Sequence, residues 1–482
     1  MITFITGLLI LIVGGMLYGK LCEKIFKPDD RETPAMKIND GIDYVPMKKW
    51  KNSLIQLLNI AGTGPVLGPI QGILFGPIAF ITIPVGCIIG GAFHDYMSGM
   101  ISIRHDGEQM PSLVERFLGK KTYVIYNIFV CVLMLLVGAV FIYTPGDIFI
   151  TQILGSDSGI SNPITWIVYG AIFVYYVIAT IFPIDKIIGK IYPIFGAILI
   201  LSALGVFIGI FTNNYQLDEI RITGILNHHP DGLKFFPIFF VTVACGIVSG
   251  FHSTQSTMIA RTMRSEKEGR TTFFNMMLVE GFIAMIWAAA AMGVMNLGLA
   301  GTDTPATTVC GVVATNLLGK IGGIIALVGI VVLPITSGDT ALRSLRLIVA
   351  DTFKMDQTKI HKRLLLSSVI FILVAAILVF AKLNPKGFDI LWRYFAWSNQ
   401  TISIFAFALI TVYMMRRKQP YIMALIPGMF YSMVVFSFIL NAQIGFNLSW
   451  SWSYLIAAVL TVAYAALVIW CGKTNNKSEQ IT

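Results

Sequence analysis

The chain of 482 residues is 56% hydrophobic and only 12% charged, and its mean hydropathy is +0.77. The charged share is about half that of a typical soluble domain. This composition argues against a soluble enzyme, a disordered protein and a nucleic-acid-binding protein, so we expect the lipid bilayer as a partner and no nucleic acid. The six cysteines are scattered without a CxxC pair. They predict free thiols packed as small apolar groups and no metal site.

Apolar runs long enough to cross a bilayer recur along the whole chain. We predict thirteen spanning helices, near residues 1–21, 53–71, 76–103, 122–143, 163–183, 188–210, 235–260, 271–299, 321–342, 364–381, 391–413, 421–440 and 452–471. The first run lacks the small-residue cleavage site of a simple signal peptide, so we expect an anchored helix. Residues 300–320 are half apolar and predict an outside hairpin or re-entrant cap.

The net charge of +10 is distributed unevenly between the predicted loops. Of the 35 Lys and Arg residues, 28 fall on one side of the predicted membrane and five on the other, with two at span ends. Basic loops remain on the cytoplasmic side. The asymmetry therefore predicts an outside N-terminus and a cytoplasmic C-terminus in the cell (inner or plasma) membrane.

The second predicted span contains an unusual density of glycine and proline, in the run AGTGPVLGP at 61–69. Proline removes an amide donor, and glycine tolerates a positive φ. Because lipid cannot satisfy freed backbone groups, such a break must face protein or water. A kinked packing helix is one explanation. We favour an unwound substrate-binding segment that includes Gly62, Thr63 and Gly64.

The seventh predicted span contains a second break, between Gly246 and Gly250. Four polar residues follow at helical spacing and predict one polar face: Ser249, His252, Ser253 and Ser256. A polar stripe inside a membrane helix faces a bundle or a cavity, although hydrogen bonds between packed helices explain it too. We assign Gly246, Ser249 and His252 to the substrate zone.

The two breaks lie five spans apart, so the two helices cross the membrane in opposite directions. This arrangement is typical of an inverted repeat with discontinuous helices. It predicts an extra N-terminal helix at 1–21, a cytoplasmic linker at 22–52, a ten-helix core at 53–413 (halves 53–210 and 235–413), and two extra helices with a cytoplasmic tail at 414–482. Helix starts suit anionic groups, which favours a substrate that carries a carboxylate.

Ionisable residues inside spans are costly and mark functional sites. His252 is the proton-binding candidate, because imidazole titrates near neutral pH; a buried neutral histidine is the alternative. Asp95 and Glu280 are further coupling candidates, for which structural pairing is equally open. Asp339 is also a coupling candidate. It stands four residues before Arg343, so a simple ion pair between the two residues explains it equally well.

The hydroxyls of Thr336 and Ser337 lie beside Pro334 and Gly338. Hard oxygen ligands near an unwound helix suit Na⁺, and the same hydroxyls suit hydrogen bonds between helices. We therefore expect an ion-coupling or packing role for this pair, with H⁺ favoured as the coupling ion and Na⁺ as the alternative.

Several stretches resemble motifs of the carbon starvation protein A family. They are AGTGPVLGP (61–69), FHDYMSGMISIRHDG (93–107), TVACGIVSGFHSTQS (242–256) with MLVEG (277–281), SGDTALRSLRL (337–347) and WRYFAWSNQTIS (392–403). The resemblance implies a polytopic inner-membrane transporter of the amino acid–polyamine–organocation (APC) superfamily with the LeuT-like five-plus-five fold. It also implies proton-coupled uptake of peptides or pyruvate during nutrient limitation. Family members often read Gln-Asp where this chain has His94 and Asp95, and many are longer.

The sequence as a whole predicts an all-α membrane protein that imports a small carboxylate-bearing nutrient by alternating access, without a cofactor. The chain contains no HExxH or GxSxG motif, and we do not expect an enzyme. The alternative is a nutrient sensor that binds its ligand on a transporter fold without net flux. The oligomeric state stays open.

Overall fold

The computed structural model describes residues 1–40, 44–181, 185–221, 229–353, 355, 360–384 and 386–474. This part of the chain contains helices and no strand. The helices are α1 (Ile2–Phe26), α2 (Lys49–Ile60), α3 (Gly64–Phe75), α4 (Ala79–Arg104), α5 (Met110–Leu118), α6 (Lys120–Ile153), α7 (Pro163–Ile181), α8 (Asp185–Thr212), α9 (235–247, in short pieces), α10 (Gly250–Ala260), α11 (Glu266–Asn296), α12 (Ala306–Thr352), α13 (Ile360–Leu383), α14 (Gly387–Arg416), α15 (Ile422–Asn441) and α16 (Trp450–Thr474).

The helices describe a multi-pass membrane protein. Within the described residues, ten helices are long and apolar enough to cross a membrane, or eleven if α2 and α3 form one bent span. Each of the thirteen predicted runs contains helix. The apolar part of α7, Pro163–Ala179, and the pieces of α9 and α10 are too short to qualify alone. The count of thirteen spans therefore stays a prediction.

The fourth spanning helix extends beyond its predicted end. The predicted span ends at 143, before Pro145, but α6 continues to Ile153. Proline cannot donate to the carbonyl four residues earlier, and here the hydroxyl of Tyr176 donates to that oxygen, the carbonyl of Phe141, at 2.8 Å. The helix crosses Pro145 because a neighbouring helix supplies the missing bond. Asp147 consequently lies inside a helix and not in the predicted loop.

In the segment predicted as a hairpin or re-entrant cap, 300–320, the structure has a helical arm that turns back on itself, and its position outside the membrane stays a prediction. Helix α12 begins at Ala306 and bends at Gly319, whose φ is +69°. The chain turns back so tightly that a Cβ atom on Gly323 would lie 2.9 Å from the Cα of Thr315. In a continuous helix these two positions would be two turns apart.

Helices α11 and α14 lie at the centre of the molecule, whereas the first and last helices lie at its edge. The rings of Phe4 on α1 and Phe80 on α4 meet edge to face at 5.4 Å. The hydroxyl of Tyr464 on α16 donates to the carbonyl of Ile404 on α14 at 2.8 Å. These peripheral helices expose apolar side chains, as lipid contact requires.

Both predicted helix breaks are confirmed. Helices α2 and α3 meet at 47° across residues 61–63. Between α9 and α10, Val248 and Ser249 are extended, with φ values of −154° and −134°. The two broken spans touch each other, since a Cβ atom on Gly64 would lie 2.4 Å from the Cβ of Cys245. This contact brings the two breaks to one place in the interior.

The contact at Gly64 predicts a contrast with its neighbour Gly62. We expect Gly64→Ala to lower the free energy of unfolding by about 1–3 kcal/mol, the usual cost of overpacking. Gly62→Ala should leave it unchanged, because a Cβ atom there meets nothing within 4 Å. Thermal unfolding of the two purified variants measures the difference. Equal stability of the two variants would contradict the close packing of the broken spans.

Candidate functional site

A small internal cavity of about 30 Å³ lies where the two broken spans meet. Five of the predicted site residues line it: Gly62, Gly64, Ser249, His252 and Ser337. The opposite wall comes from α6 and α14, through Val137, Phe141, Phe395 and Asn399. A cavity of this size has room for one or two water molecules, so a larger ligand requires the helices to separate.

Four buried ionisable side chains form a chain beside this cavity. His94 Nδ1 lies 2.9 Å from Asp95 Oδ1, and Asp95 Oδ2 lies 3.2 Å from His252 Nδ1. His252 Nε2 then lies 3.6 Å from Glu280 Oε2. None of the four residues is more than 1% exposed. The chain joins α4, α10 and α11, and the sequence had indicated its members only as separate candidates.

The two ends of this chain have unused hydrogen-bonding capacity. Neither carboxyl oxygen of Glu280 has a hydrogen-bond partner among the described residues, and the same is true of His94 Nε2. Buried polar atoms are normally paired, so each unpaired one calls for an explanation.

Asn399 on α14 satisfies the backbone at the break between α9 and α10. Its Oδ1 accepts hydrogen bonds from the Phe251 amide at 2.8 Å and from the Ser249 hydroxyl at 3.1 Å. Its Nδ2 lies 2.8 Å from the same hydroxyl. The first amides of a helix have no partner within the helix. One side chain from a neighbouring helix therefore caps α10 inside the membrane.

Two further side chains of α14 satisfy carbonyls of α9. Gln400 Nε2 donates to Phe240 O at 2.6 Å, and Trp392 Nε1 donates to Thr242 O at 3.1 Å. We did not predict roles for Trp392, Asn399 or Gln400. The sequence signal that indicates Asn399 and Gln400 is the polar run at 398–400 inside an apolar helix. Polar side chains within a span face protein or a cavity.

The remaining predicted site residues, Thr63 and Gly246, do not line the cavity, and Ser337 lines it without directing its hydroxyl to another helix. Thr63 is buried at the start of α3, and its hydroxyl has no described partner. Gly246 packs against Ala284, because a Cβ atom there would lie 2.9 Å from the Cβ of Ala284. The Ser337 hydroxyl donates to Leu333 O within its own helix at 3.2 Å. The side chains of Thr336 and Asp339 lie outside the described residues.

A vestibule of about 580 Å³ opens on the side predicted to be outside. We use this name for the space lined by α3, α6, the α13–α14 turn and residues 157–160, 229–231 and 302–307. Aromatic rings lie where the residues lining the two spaces adjoin: Phe395 lies 6.2 Å from Phe141 and 5.6 Å from Trp392 between ring centroids.

The predicted cytoplasmic linker covers the opposite side. Glu266 is buried and accepts two hydrogen bonds from Arg104, both at 3.0 Å, and one from the Asp29 amide at 3.1 Å. Thr33 donates to Met263 O at 2.6 Å. These contacts tie the linker to the ends of α4 and α10, the two helices that carry Asp95 and His252.

Comparison with known proteins identifies the family. The family model described as carbon starvation protein CstA matches residues 1–159, 148–317 and 301–438. The chain belongs to this family. The motifs in the sequence indicate the same family, and the match confirms this prediction.

Relatives in this family include named transporters. A membrane protein of Haemophilus influenzae is 40% identical over 61% of this chain and 91% of its own length. The pyruvate/proton symporter BtsT of Escherichia coli is 24% identical over 58% of this chain and 47% of its own length. The peptide transporter CstA of Escherichia coli is 25% identical over 54% and 45%. The chain matches less than half the length of these two named transporters.

The fold is shared with solved structures of a manganese transporter from Eremococcus coleocola. One mutant form superposes with a TM-score of 0.60 at 10% identity, covering 87% of this chain and 93% of the other. This similarity concerns the fold alone. In the described part of our chain, no group of three or more His, Cys, Asp or Glu residues has a geometry that could hold a metal ion.

The cap at α10 predicts the effect of Asn399→Ala. The change leaves the Phe251 amide and the Ser249 hydroxyl without their shared partner, which costs about 1–3 kcal/mol for a buried group. Thermal unfolding of the purified protein measures this loss. Ser403→Ala is the matched control, because the Ser403 hydroxyl bonds only to Gln400 O of its own helix. The two variants losing equal stability would refute a special role for Asn399.

The buried ion pair predicts that Glu266→Gln releases the linker. Removing one charge of a buried pair costs about 3–5 kcal/mol, and we expect faster amide hydrogen exchange across residues 27–33. Lys267→Gln serves as the control, because its partner Asp30 is exposed, and such pairs contribute about 0–1 kcal/mol. Unchanged exchange in Glu266→Gln would show that other contacts secure the linker.

Proposed function

We propose that this protein is a proton-coupled secondary transporter that imports a small carboxylate-bearing nutrient by alternating access. The observation that carries the proposal is the chain of His94, Asp95, His252 and Glu280 beside the cavity between the broken spans. A receptor that only binds ligand has no need for such a costly chain of buried ionisable groups.

Charge balance supports proton coupling at this site. Two carboxyl groups and two imidazoles lie within 3.6 Å of their neighbours and away from solvent. A net charge on these four side chains is costly away from solvent. We therefore expect the four side chains to gain or lose protons when their exposure to solvent changes. Neighbouring groups of this kind titrate as a unit. We assign the coupling proton to this unit, with His252 at its centre because it contacts both carboxyl groups.

The hydrogen bonds of Asn399 indicate which of the two helix starts is available for the carboxylate of the substrate. We predicted that helix starts at both breaks would suit an anion. At α10 an oxygen of Asn399 already occupies that position, 2.8 Å from the Phe251 amide. The start of α3, at Thr63 and Gly64, is therefore the better candidate for the carboxylate. Since the cavity is only about 30 Å³, we place substrate binding in a state with the two spans further apart.

The two sides of the molecule support alternating access. The vestibule is open on one side of the cavity, and the linker covers the other. This difference fits an outward-facing state, in which the linker secures the inner ends of α4 and α10. We propose the inverted five-plus-five arrangement of the LeuT-like fold for the core, supported by the two broken spans in contact and by the fold shared with a transporter. We expect H⁺ as the coupling ion, Na⁺ being the alternative, and no cofactor.

Transport into proteoliposomes tests this function. We would offer labelled pyruvate and a labelled dipeptide separately, each with an imposed pH gradient and then with a sodium gradient. Accumulation of either substrate under the pH gradient is the expected result. Accumulation under the sodium gradient alone would overturn proton coupling. Binding of a substrate without accumulation under either gradient would favour the sensor.

The role of His252 predicts the behaviour of His252→Ala. We expect a loss of at least about a hundredfold in uptake driven by the pH gradient, because the chain between Asp95 and Glu280 is broken. The folded yield and thermal stability of the variant establish that it is intact. His361→Ala is the matched control, since His361 is exposed on the predicted cytoplasmic side. Undiminished proton-driven uptake in His252→Ala would remove this residue from the mechanism.

A further inference from the structure

Three basic residues, Lys382, Lys386 and Arg393, line the vestibule together with five aspartates. Lys382 at the end of α13 is fully engaged: its Nζ lies 2.9 Å from Asp147 Oδ1 and 4.7 Å from the ring centroid of Tyr143. The hydroxyl of Tyr169 donates to the same carboxylate oxygen at 2.5 Å. Asp147 thus neutralises the charge of Lys382 within the protein. The two residues form a structural ion pair that joins α6 and α13.

Arg393 on α14 also lines the vestibule, and Asp389 attracts it electrostatically without forming an ion pair or a hydrogen bond with it. No carboxylate of the described residues lies within 4.0 Å of its guanidinium, and it makes no hydrogen bond to them. Its Nε atom is buried and unpaired. Asp389, one helical turn earlier, also lines the vestibule, yet it forms no ion pair with Arg393 among the described residues.

An unpaired guanidinium at this depth needs an explanation. Arg393 is half-buried near the outer end of α14, with its Nε covered, and an arginine within a span normally has a partner. Guanidinium presents a planar fork of donors that matches a carboxylate in a bidentate way. The vestibule of about 580 Å³ is large enough for a small ligand, unlike the cavity of about 30 Å³.

We propose that Arg393 forms an outer binding site in the vestibule for the carboxylate of the transported nutrient. The ligand binds there before the aromatic rings between vestibule and cavity separate. Trp392 and Phe395, which flank Arg393 in sequence, belong to that aromatic layer. Occupation of the outer site thus places the ligand directly against the layer that must open. This inference rests on the proposed function for the chemistry of the ligand.

Equilibrium binding separates the outer site from the inner one. We would measure binding of labelled pyruvate, and separately of a labelled dipeptide, to the full-length protein in nanodiscs. Gly62→Leu adds a bulky side chain at the lining of the cavity, where a Cβ atom meets nothing within 4 Å, and should remove inner binding while outer binding remains. Adding Arg393→Gln to this variant should abolish the remaining binding. Complete loss of binding in Gly62→Leu alone would overturn the outer site.

Uptake kinetics provide a second test with matched variants. We expect Arg393→Gln to raise KM about tenfold or more, the equivalent of one lost charge-assisted pair, with little change in kcat. Arg393→Lys should recover part of the affinity, because it restores the charge without the fork. The control is Lys386→Gln, which removes an exposed charge from the same vestibule. Equal KM increases in Arg393→Gln and Lys386→Gln would show that only the overall positive charge of the vestibule matters. This result would overturn a specific site at Arg393.

The two proposals fail in different ways. Normal uptake by Arg393→Gln with an unchanged KM contradicts the outer site and leaves proton-coupled transport in place. Arg393-dependent binding without accumulation under any gradient contradicts transport and leaves the outer site in place. Binding of neither probe by wild-type protein contradicts a carboxylate site at Arg393.

Discussion

The organisation of this protein depends on how it satisfies backbone hydrogen bonds where helices break inside a membrane. Lipid offers no donors or acceptors, so each freed amide or carbonyl needs a partner from protein or water. Helix α14 supplies these partners to the broken span formed by α9 and α10, through Trp392, Asn399 and Gln400. The central position of α14 follows from this task, since it must lie along the whole length of the broken span.

The same breaks create the place where charge is tolerated. A helix interrupted at Val248 and Ser249 directs His252 toward α4 and α11, where Asp95 and Glu280 lie within 3.6 Å. Each of these groups alone would be costly in an apolar interior. Together they offset part of that cost, and the unpaired oxygens of Glu280 retain room for a proton. The cluster is thus costly to stability, a feature that is common in active sites and binding sites.

The contacts on the two sides of the cavity differ in their physical character. Toward the vestibule, the aromatic rings of Phe141, Trp392 and Phe395 pack together, and Trp392 also donates to the carbonyl of Thr242. On the predicted cytoplasmic side, the buried pair of Glu266 and Arg104 fastens the linker to the end of α4 and the start of α11, and Thr33 fastens it just beyond α10. Separation of Asp95 from His252 would move the ends of α4 and α10, so this buried cluster and the linker are mechanically connected.

The sequence by itself determined the membrane class, the family, the position of both helix breaks and the identity of His252, Asp95 and Glu280 as unusual residues. These features are local: glycine and proline interrupt a helix wherever it packs, and a charge in an apolar run is visible without any fold. Only the tertiary structure decided which of these groups meet, because His252 and Asp95 are 157 positions apart. It also decided that α6 crosses Pro145, since the Tyr176 hydroxyl that replaces the missing bond comes from another helix, and no local pattern specifies such a partner.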